Sequence, residues 1–161
     1  MSGVDHVLQH ELEQLYSRYG GLLDDGPLVE WPELFTEACL YLLIPRDNFD
    51  QGLPLAIMRC ESRGMLVDRI RASQETMMYE PRYLRHQITN VRASVAAGSG
   101  EIDACANYSL FEVLADELPR VLSVGRYLDK IIRSDDGQLR FREKRCVYDS
   151  VLVPNTIVYP I

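Results

Sequence analysis

Three sets of side chains in this sequence have the types and spacing from which chemistry is built. Asp24 and Asp25 are adjacent carboxylates in "LLDDGPLVEW", just ahead of the chain's only tryptophan, Trp31. His6, His10 and Glu13 recur at i, i+4 and i+7, the residue types of a two-histidine, one-carboxylate iron site. His86 stands among Tyr83, Arg85 and Gln87 in "YLRHQITNV", where an imidazole beside a pocket could serve as a general base.

Helix geometry weakens the first two. Consecutive residues diverge by about 100° around a helix axis, so Asp24 and Asp25 cannot converge on one substrate atom. Beside the Gly26-Pro27 break they fit solvated residues of a helix end, with Asp24 alone free to face inward. From His6 to Glu13 the rise is about 10 Å at 1.5 Å per residue. Bonds to a metal are only about 2 Å long, so one straight helix presents this trio poorly, and a polar outer helix face explains it better. A lone histidine such as His86 is more often a hydrogen-bonded structural or interface residue than a base. The four cysteines, Cys39, Cys60, Cys105 and Cys146, are widely spaced within apolar runs, as buried thiols are, and no C-x-x-C occurs. No G-x-S-x-G, G-x-x-x-x-G-K-[ST] or G-x-G-x-x-G is present. "GSG" at 98 to 100 reads as a hairpin tip, and "RFREKR" at 140 to 145 as a solvated or subunit-facing surface whose charges divide between two strand faces.

The elements that must position these residues follow from pattern. Val4, Leu8, Leu12, Leu15, Tyr16, Tyr19, Leu22 and Leu23 form one helical face over residues 4 to 25, and Gly26 is expected to close it in a left-handed cap conformation. "LVEWPELF" fits a short helix with Pro32 in its first turn, and "CLYLLIP" a strand closed by Pro45. Residues 46 to 56 read as an irregular loop, and about Glu61 to Met78 as a second long helix. Beyond Pro81 four long segments rich in Val, Ile, Tyr and Phe are separated by "GSGE", "DELP" and "SDDG", which predicts consecutive antiparallel hairpins. Helices first and strands last define an α+β fold, a curved antiparallel sheet wrapped as a cone around N-terminal helices, in one domain spanning residues 1 to 161.

Composition bounds the partners. A net charge of −7 argues against a nucleic-acid binder, and no apolar run reaches the roughly 20 residues of a membrane span. "MSGVDHVLQHELEQL" lacks the regions of a signal peptide, so a cytoplasmic chain is expected.

A resemblance supplies what the residues do not. "LYSRYGGLLDDGPLVEWPELFTEACLY", "PLAIMRCESRGMLVDRI", "MYEPRYLRHQITNVR", "VGRYLDKIIR" and "CVYDSVLVP" look like the small (beta) subunit of Rieske non-haem iron ring-hydroxylating oxygenases, from about Val7 to Val153. "ESRGMLVDRI" and "YEPRYLRHQITNVR" are the most specific stretches. Within the family the similarity is greatest to small subunits acting on benzoate- and salicylate-type acids, the salicylate 5-hydroxylases first. The resemblance implies the cone fold of nuclear transport factor 2 and scytalone dehydratase. It implies no catalytic, cofactor-binding or metal-binding residue in this chain. The two-iron, two-sulfur Rieske cluster and the mononuclear iron would sit in a large (alpha) subunit, where substrate and the number of oxygen atoms inserted are decided. It implies a hetero-hexamer of three large and three small subunits, fed with electrons by a ferredoxin and a reductase. The competing expectation is a free-standing cone-fold lyase, isomerase or binding protein using Asp24, Tyr16, Tyr41 or His86. An enzyme of that kind needs an open polar cavity, whereas a scaffold fills the cone, as Tyr16, Tyr19, Trp31, Phe35, Tyr41, Tyr108 and Phe111 would do.

Two segments are expected to meet other subunits. Arg82, Tyr83, Arg85 and His86 crowd one strand entrance with little local acid, and Arg and Tyr are favoured at interfaces. The tail "SVLVPNTIVYPI", with Tyr159, is too apolar to stay in water and should dock on its own sheet or on a neighbouring subunit.

Overall fold

A computed structural model describes residues 4–75, 82–150, 152 and 159–161. Helix α1, His6–Asp24, begins where the Asp5 carboxylate accepts the Leu8 N–H at 2.8 Å. Its predicted apolar face is the buried one, with Leu12, Leu15, Tyr16, Tyr19, Leu22 and Leu23 in the core. The helix ends as the Gly26 N–H closes on the Gly21 carbonyl at 2.9 Å. Gly26 is required there for space rather than for a left-handed φ: a Cβ would come within 2.7 Å of the Leu22 Cα. Leu28–Leu34 forms a 3-10 helix, with Pro32 in its second half rather than its first turn.

Strand β1, Phe35–Pro45, starts earlier than expected. The segment predicted to be loop contains a short helix α2, Arg46–Asp50, and a three-residue strand β2, Met58–Cys60, follows. Helix α3 spans Arg63–Glu75; the expected continuation to Met78 lies outside the described residues. Strands β3 (Arg82–Val95), β4 (Ile102–Leu114), β5 (Arg120–Arg133) and β6 (Leu139–Tyr148) are the four predicted hairpin strands.

The sheet order is β2-β1-β6-β5-β4-β3. All neighbours are antiparallel except β1 and β6, which run parallel because the chain crosses by way of α3 to the far edge before the hairpins return. Bulges interrupt the β3–β4, β4–β5 and β5–β6 registers, adding the local twist that curls a sheet over helices. Close approach also shapes it: a Cβ on Gly125 would lie 2.1 Å from the Val147 carbonyl oxygen.

Candidate functional site

In a cone fold the space between helix and sheet is where a substrate would sit, and here side chains occupy it. Trp31, Tyr16, Tyr19, Tyr41, Tyr127, Phe35 and Phe141 are all fully buried. Their rings meet edge to face or stacked, with centroids 5.0 Å apart for Trp31 and Phe35 and 4.6 Å for Tyr108 and Tyr127. Tyr127 and Phe141 belong to this filling and were not foreseen; Phe111, which was, lies half-buried.

Among the rings sits a charge. Lys144 is completely buried, its Nζ 3.7 Å from the Tyr127 ring centre, 4.3 Å from that of Tyr19 and 4.4 Å from that of Phe141. It pairs with the Asp129 carboxylate at 2.9 Å, and Tyr16 donates its hydroxyl to the same carboxylate at 2.5 Å. This overturns the expectation that "RFREKR" is wholly a solvated or subunit-facing surface. The cause is a bulge: Ile131 faces Phe141 while Lys130 faces Glu143, so Arg142 is extra and the in–out alternation of β6 changes parity. Leu139 and Phe141 point inward before it, and Lys144, Cys146 and Tyr148 after it. Asp129 stands directly opposite Lys144 in the register, so the ion pair is a cross-strand pair.

The interior electrostatics favour permanence over reaction. Burial pushes the Asp129 carboxyl above its usual range, opposed by Lys144 and the Tyr16 hydrogen bond. Burial likewise holds the phenols of Tyr16, Tyr19, Tyr41 and Tyr127 protonated, and pushes the Cys146 thiol up to about 12. The far end of the interior is closed by the chain itself. Tyr19 donates to the Ile161 main-chain oxygen at 2.6 Å, and Tyr41 accepts the Ile161 N–H at 3.0 Å. Pro160 and Ile161 are buried and Tyr159 packs on the same core. Of the two docking sites expected for the tail, these residues take their own chain's core; 153 to 158 lie outside the described residues.

Asp24 and Asp25 form a clamp. Asp24 accepts the His86 N–H through Oδ2 at 2.8 Å, and its Oδ1 lies 2.6 Å from the His86 Nδ1. Asp25 takes the Arg85 guanidinium at 2.6 Å. The two carboxylates diverge as helix geometry requires and grip two successive residues of β3, whose edge would otherwise expose its amides. A cleft of about 250 Å³ lies along this seam, bordered by Glu13, Ser17 and Gly21, but the His86 ring is 0 % exposed. An imidazole so enclosed meets no solute.

The same contacts correct a premise about the strand entrance. Local acid is plentiful: Asp24 and Asp25 serve His86 and Arg85, and the buried Glu112 binds both Arg82 and Arg120, at 2.6 and 2.7 Å. His86 turns inward, whereas Tyr83 is 69 % exposed. His6, His10 and Glu13 are all exposed on α1, and among the described residues no group of three or more His, Cys, Asp or Glu could hold a metal ion. Cys39, Cys60 and Cys146 are buried, Cys105 half-buried, and all four are free thiols. No helix among the described residues is long and apolar enough to cross a membrane. A concavity of about 540 Å³ lies where Asp103, Cys105, Leu128, Lys130, Glu143 and Arg145 line the sheet.

Comparison with known proteins agrees with this geometry. The chain is 38 % identical over 151 residues to the anthranilate 1,2-dioxygenase small subunit of Burkholderia cepacia, covering 94 % of this chain and 92 % of that one. It is 30 % identical to a beta subunit of the terephthalate 1,2-dioxygenase terminal oxygenase component of a Comamonas species, covering 89 % and 92 %. The crystal structure of the beta subunit of a proposed aromatic-ring-hydroxylating dioxygenase from Novosphingobium aromaticivorans superposes with a TM-score of 0.85 at 35 % identity, covering 96 % of this chain and 97 % of that one. The family model for the ring-hydroxylating beta subunit matches residues 19–155, and the chain belongs to that family.

Proposed function

We propose that this chain is the non-catalytic small subunit of a Rieske ring-hydroxylating oxygenase and that its work is to hold catalytic large subunits in order. The observation that carries this reading is the filled interior: seven aromatic side chains and the Lys144–Asp129 pair occupy the volume a cone-fold enzyme reserves for substrate. The competing lyase or isomerase reading loses its candidates one by one. Tyr16 is committed to Asp129, Tyr41 to Ile161, and Asp24 to His86.

In this proposal a large subunit carries the two-iron, two-sulfur cluster and the mononuclear iron, three large and three small subunits assemble, and a ferredoxin and reductase deliver electrons. The substrate is an aromatic acid, with salicylate the preferred candidate. Support comes from the relatives named for anthranilate and terephthalate, both aromatic carboxylates. Anthranilate, like salicylate, is a benzoate with a polar group ortho to the carboxylate. The small subunit itself contributes no group to the reacting atoms.

Co-expression with a Rieske oxygenase large subunit from the same source tests this. The expected result is a co-purifying complex that hydroxylates salicylate or another ortho-substituted benzoate, while the chain alone binds no iron and shows no Rieske-type visible spectrum. Stoichiometric iron in the isolated chain, or turnover of a small molecule by it, would overturn the reading.

A further inference from the structure

A chain that only had to fill its cone could do so with phenylalanine and leucine. Where the tail docks, the interior instead carries a surplus of hydrogen-bond donors. Tyr19 donates its hydroxyl to the Ile161 main-chain oxygen at 2.6 Å, Tyr41 donates to the same oxygen at 3.1 Å, and the Cys146 thiol donates to it at 3.1 Å. Donors from α1, β1 and β6 thus converge on one acceptor atom. Burial keeps both phenols and the thiol protonated, so each remains a neutral donor. A carbonyl oxygen has two lone pairs, one fewer than the donors aimed at it.

Two more donors in the same ring cluster go unused. The Trp31 Nε1 and the Tyr127 hydroxyl are buried with no hydrogen-bond partner among the described residues. The Trp31 ring centre lies 5.5 Å from that of Tyr41, and the Tyr127 ring centre 5.8 Å from that of Tyr19. Burying a donor without a partner is unfavourable, and packing alone gives no reason to keep these polar atoms. The charge at hand is already matched, since Lys144 is paired with Asp129.

What meets these donors now is a small piece of chain. Pro160 and Ile161 are buried but belong to no helix or strand, so releasing them breaks no sheet ladder. Ile161 offers the donors one oxygen and gives the core an aliphatic side chain that is 1 % exposed. An aromatic ketone or acid offers the same two things in one molecule, an acceptor oxygen and an apolar body, with flat faces for the surrounding rings. An apolar space of about 150 Å³ holds a benzene-sized ring. Pro160 and Ile161 together are bulkier than such a ring with one small substituent.

We propose that this end of the cone is a binding site for a small aromatic molecule bearing a carbonyl-type oxygen, and that Pro160 and Ile161 are its resident occupant. The tail is then an intramolecular competitor. A chain closed about 99 % of the time binds a free ligand about 100-fold more weakly than an open one. Binding here brings no group to a reacting atom, so the scaffold role proposed above neither requires this site nor falls with it.

Nitrogen-15 NMR of the full chain tests this, because Trp31 is the only tryptophan and its indole N–H gives a single signal. Ile161→Lys puts a charge where an apolar side chain is buried and should expel the tail. Ile161→Gly, which only removes that side chain, takes its place if circular dichroism shows the first variant unfolded. Acetophenone, benzoate and toluene are titrated into variant and wild type. The expected result is a saturable shift of the indole signal in the variant, at ligand concentrations about 100-fold below those the wild type needs. Acetophenone or benzoate should bind at least about fivefold more tightly than toluene, the worth of about one hydrogen bond. Adding Tyr19→Phe should shrink that preference and leave toluene binding unchanged. Acetophenone ahead of benzoate assigns a neutral carbonyl, and the reverse order a carboxylate. A folded open variant that binds neither, or binds toluene as tightly, holds only a void and overturns the proposal. So does unfolding of both variants, which would make the tail part of the core rather than an occupant.

Discussion

The interior of the cone and the uncovered face of its sheet have exchanged the properties expected of them. Inside, where an apolar core belongs, Lys144, Asp129 and four tyrosines are buried together. Outside, where water belongs, Tyr83, Leu118, Val121 and Val124 are exposed. The interior shows that reactive residue types do not make a site when burial shuts them from solutes, even where the Tyr127 hydroxyl and the Asp129 Oδ1 have no hydrogen-bond partner. The exterior shows apolar side chains left in water where the sheet has no covering element.

Breaking the interior should have the largest effect. Asp129→Ala leaves the Lys144 ammonium buried without a counter-charge and is expected to cost about 3–5 kcal/mol, read from urea or thermal unfolding. Asp129→Leu combined with Lys144→Met should recover most of that loss, since burial already disfavours the charged carboxylate. If the double variant is no more stable than Asp129→Ala, the pair does more than balance its own charge. Gly125→Ala comes next. Its Cβ would strike the Val147 carbonyl oxygen and come within 2.9 Å of the Tyr148 Cα, both backbone atoms that cannot swing aside. The expected loss is about 1–3 kcal/mol, whereas Gly21→Ala, with open space around its Cβ, should lose nothing.

The clamp between α1 and β3 should matter less for the fold. Asp24→Ala removes two acceptor contacts to His86 and is expected to cost about 1–2 kcal/mol, with faster amide exchange at the start of β3 than at its end. Equal exchange along β3 would show that the clamp holds nothing. The smallest effect belongs to the surface. Arg140 holds the Asp136 carboxyl down to about 2, below its ordinary 3.8. An acid depressed in the folded state stabilises above its unfolded pKa and loses that contribution as pH falls. Any difference in Tm between wild type and Asp136→Asn should therefore be present at pH 5, shrink below the ordinary carboxyl range and disappear as pH falls through about 2. Because the pair is exposed, the difference at pH 5 should be slight.

These contrasts also mark what was legible in the sequence. The face of α1 and the four hairpin strands were plain because their apolar periods are regular over many residues, and Asp24 and Asp25 were placed at a helix end by Gly26 and Pro27 alone. What escaped depended on single extra residues or on pairing across the chain. "RFREKR" alternates cleanly as written, and only the bulge at Arg142 sends Lys144 inward. Glu112 lies one strand from Arg82, and Asp24 is 62 residues from His86. The strand entrance therefore read as short of acid although three carboxylates converge on it. Strand β2 is only three residues long, too short for a period to show. The tail's apolar character predicted docking but not its place, because the Tyr19 and Tyr41 hydroxyls that receive Ile161 come from other elements.

The central claim is that this chain orders a catalytic partner and adds no reacting group. Its most direct test is turnover of the co-expressed complex, measured per iron in assembled protein, with His86→Gln or Tyr16→Phe in the small subunit. Turnover per iron is expected within about twofold of wild type, with any deficit confined to the yield of complex. A general acid or base contributes a factor of about 10²–10⁴. A loss of that size with assembly and iron intact would place chemistry in this chain and contradict the account.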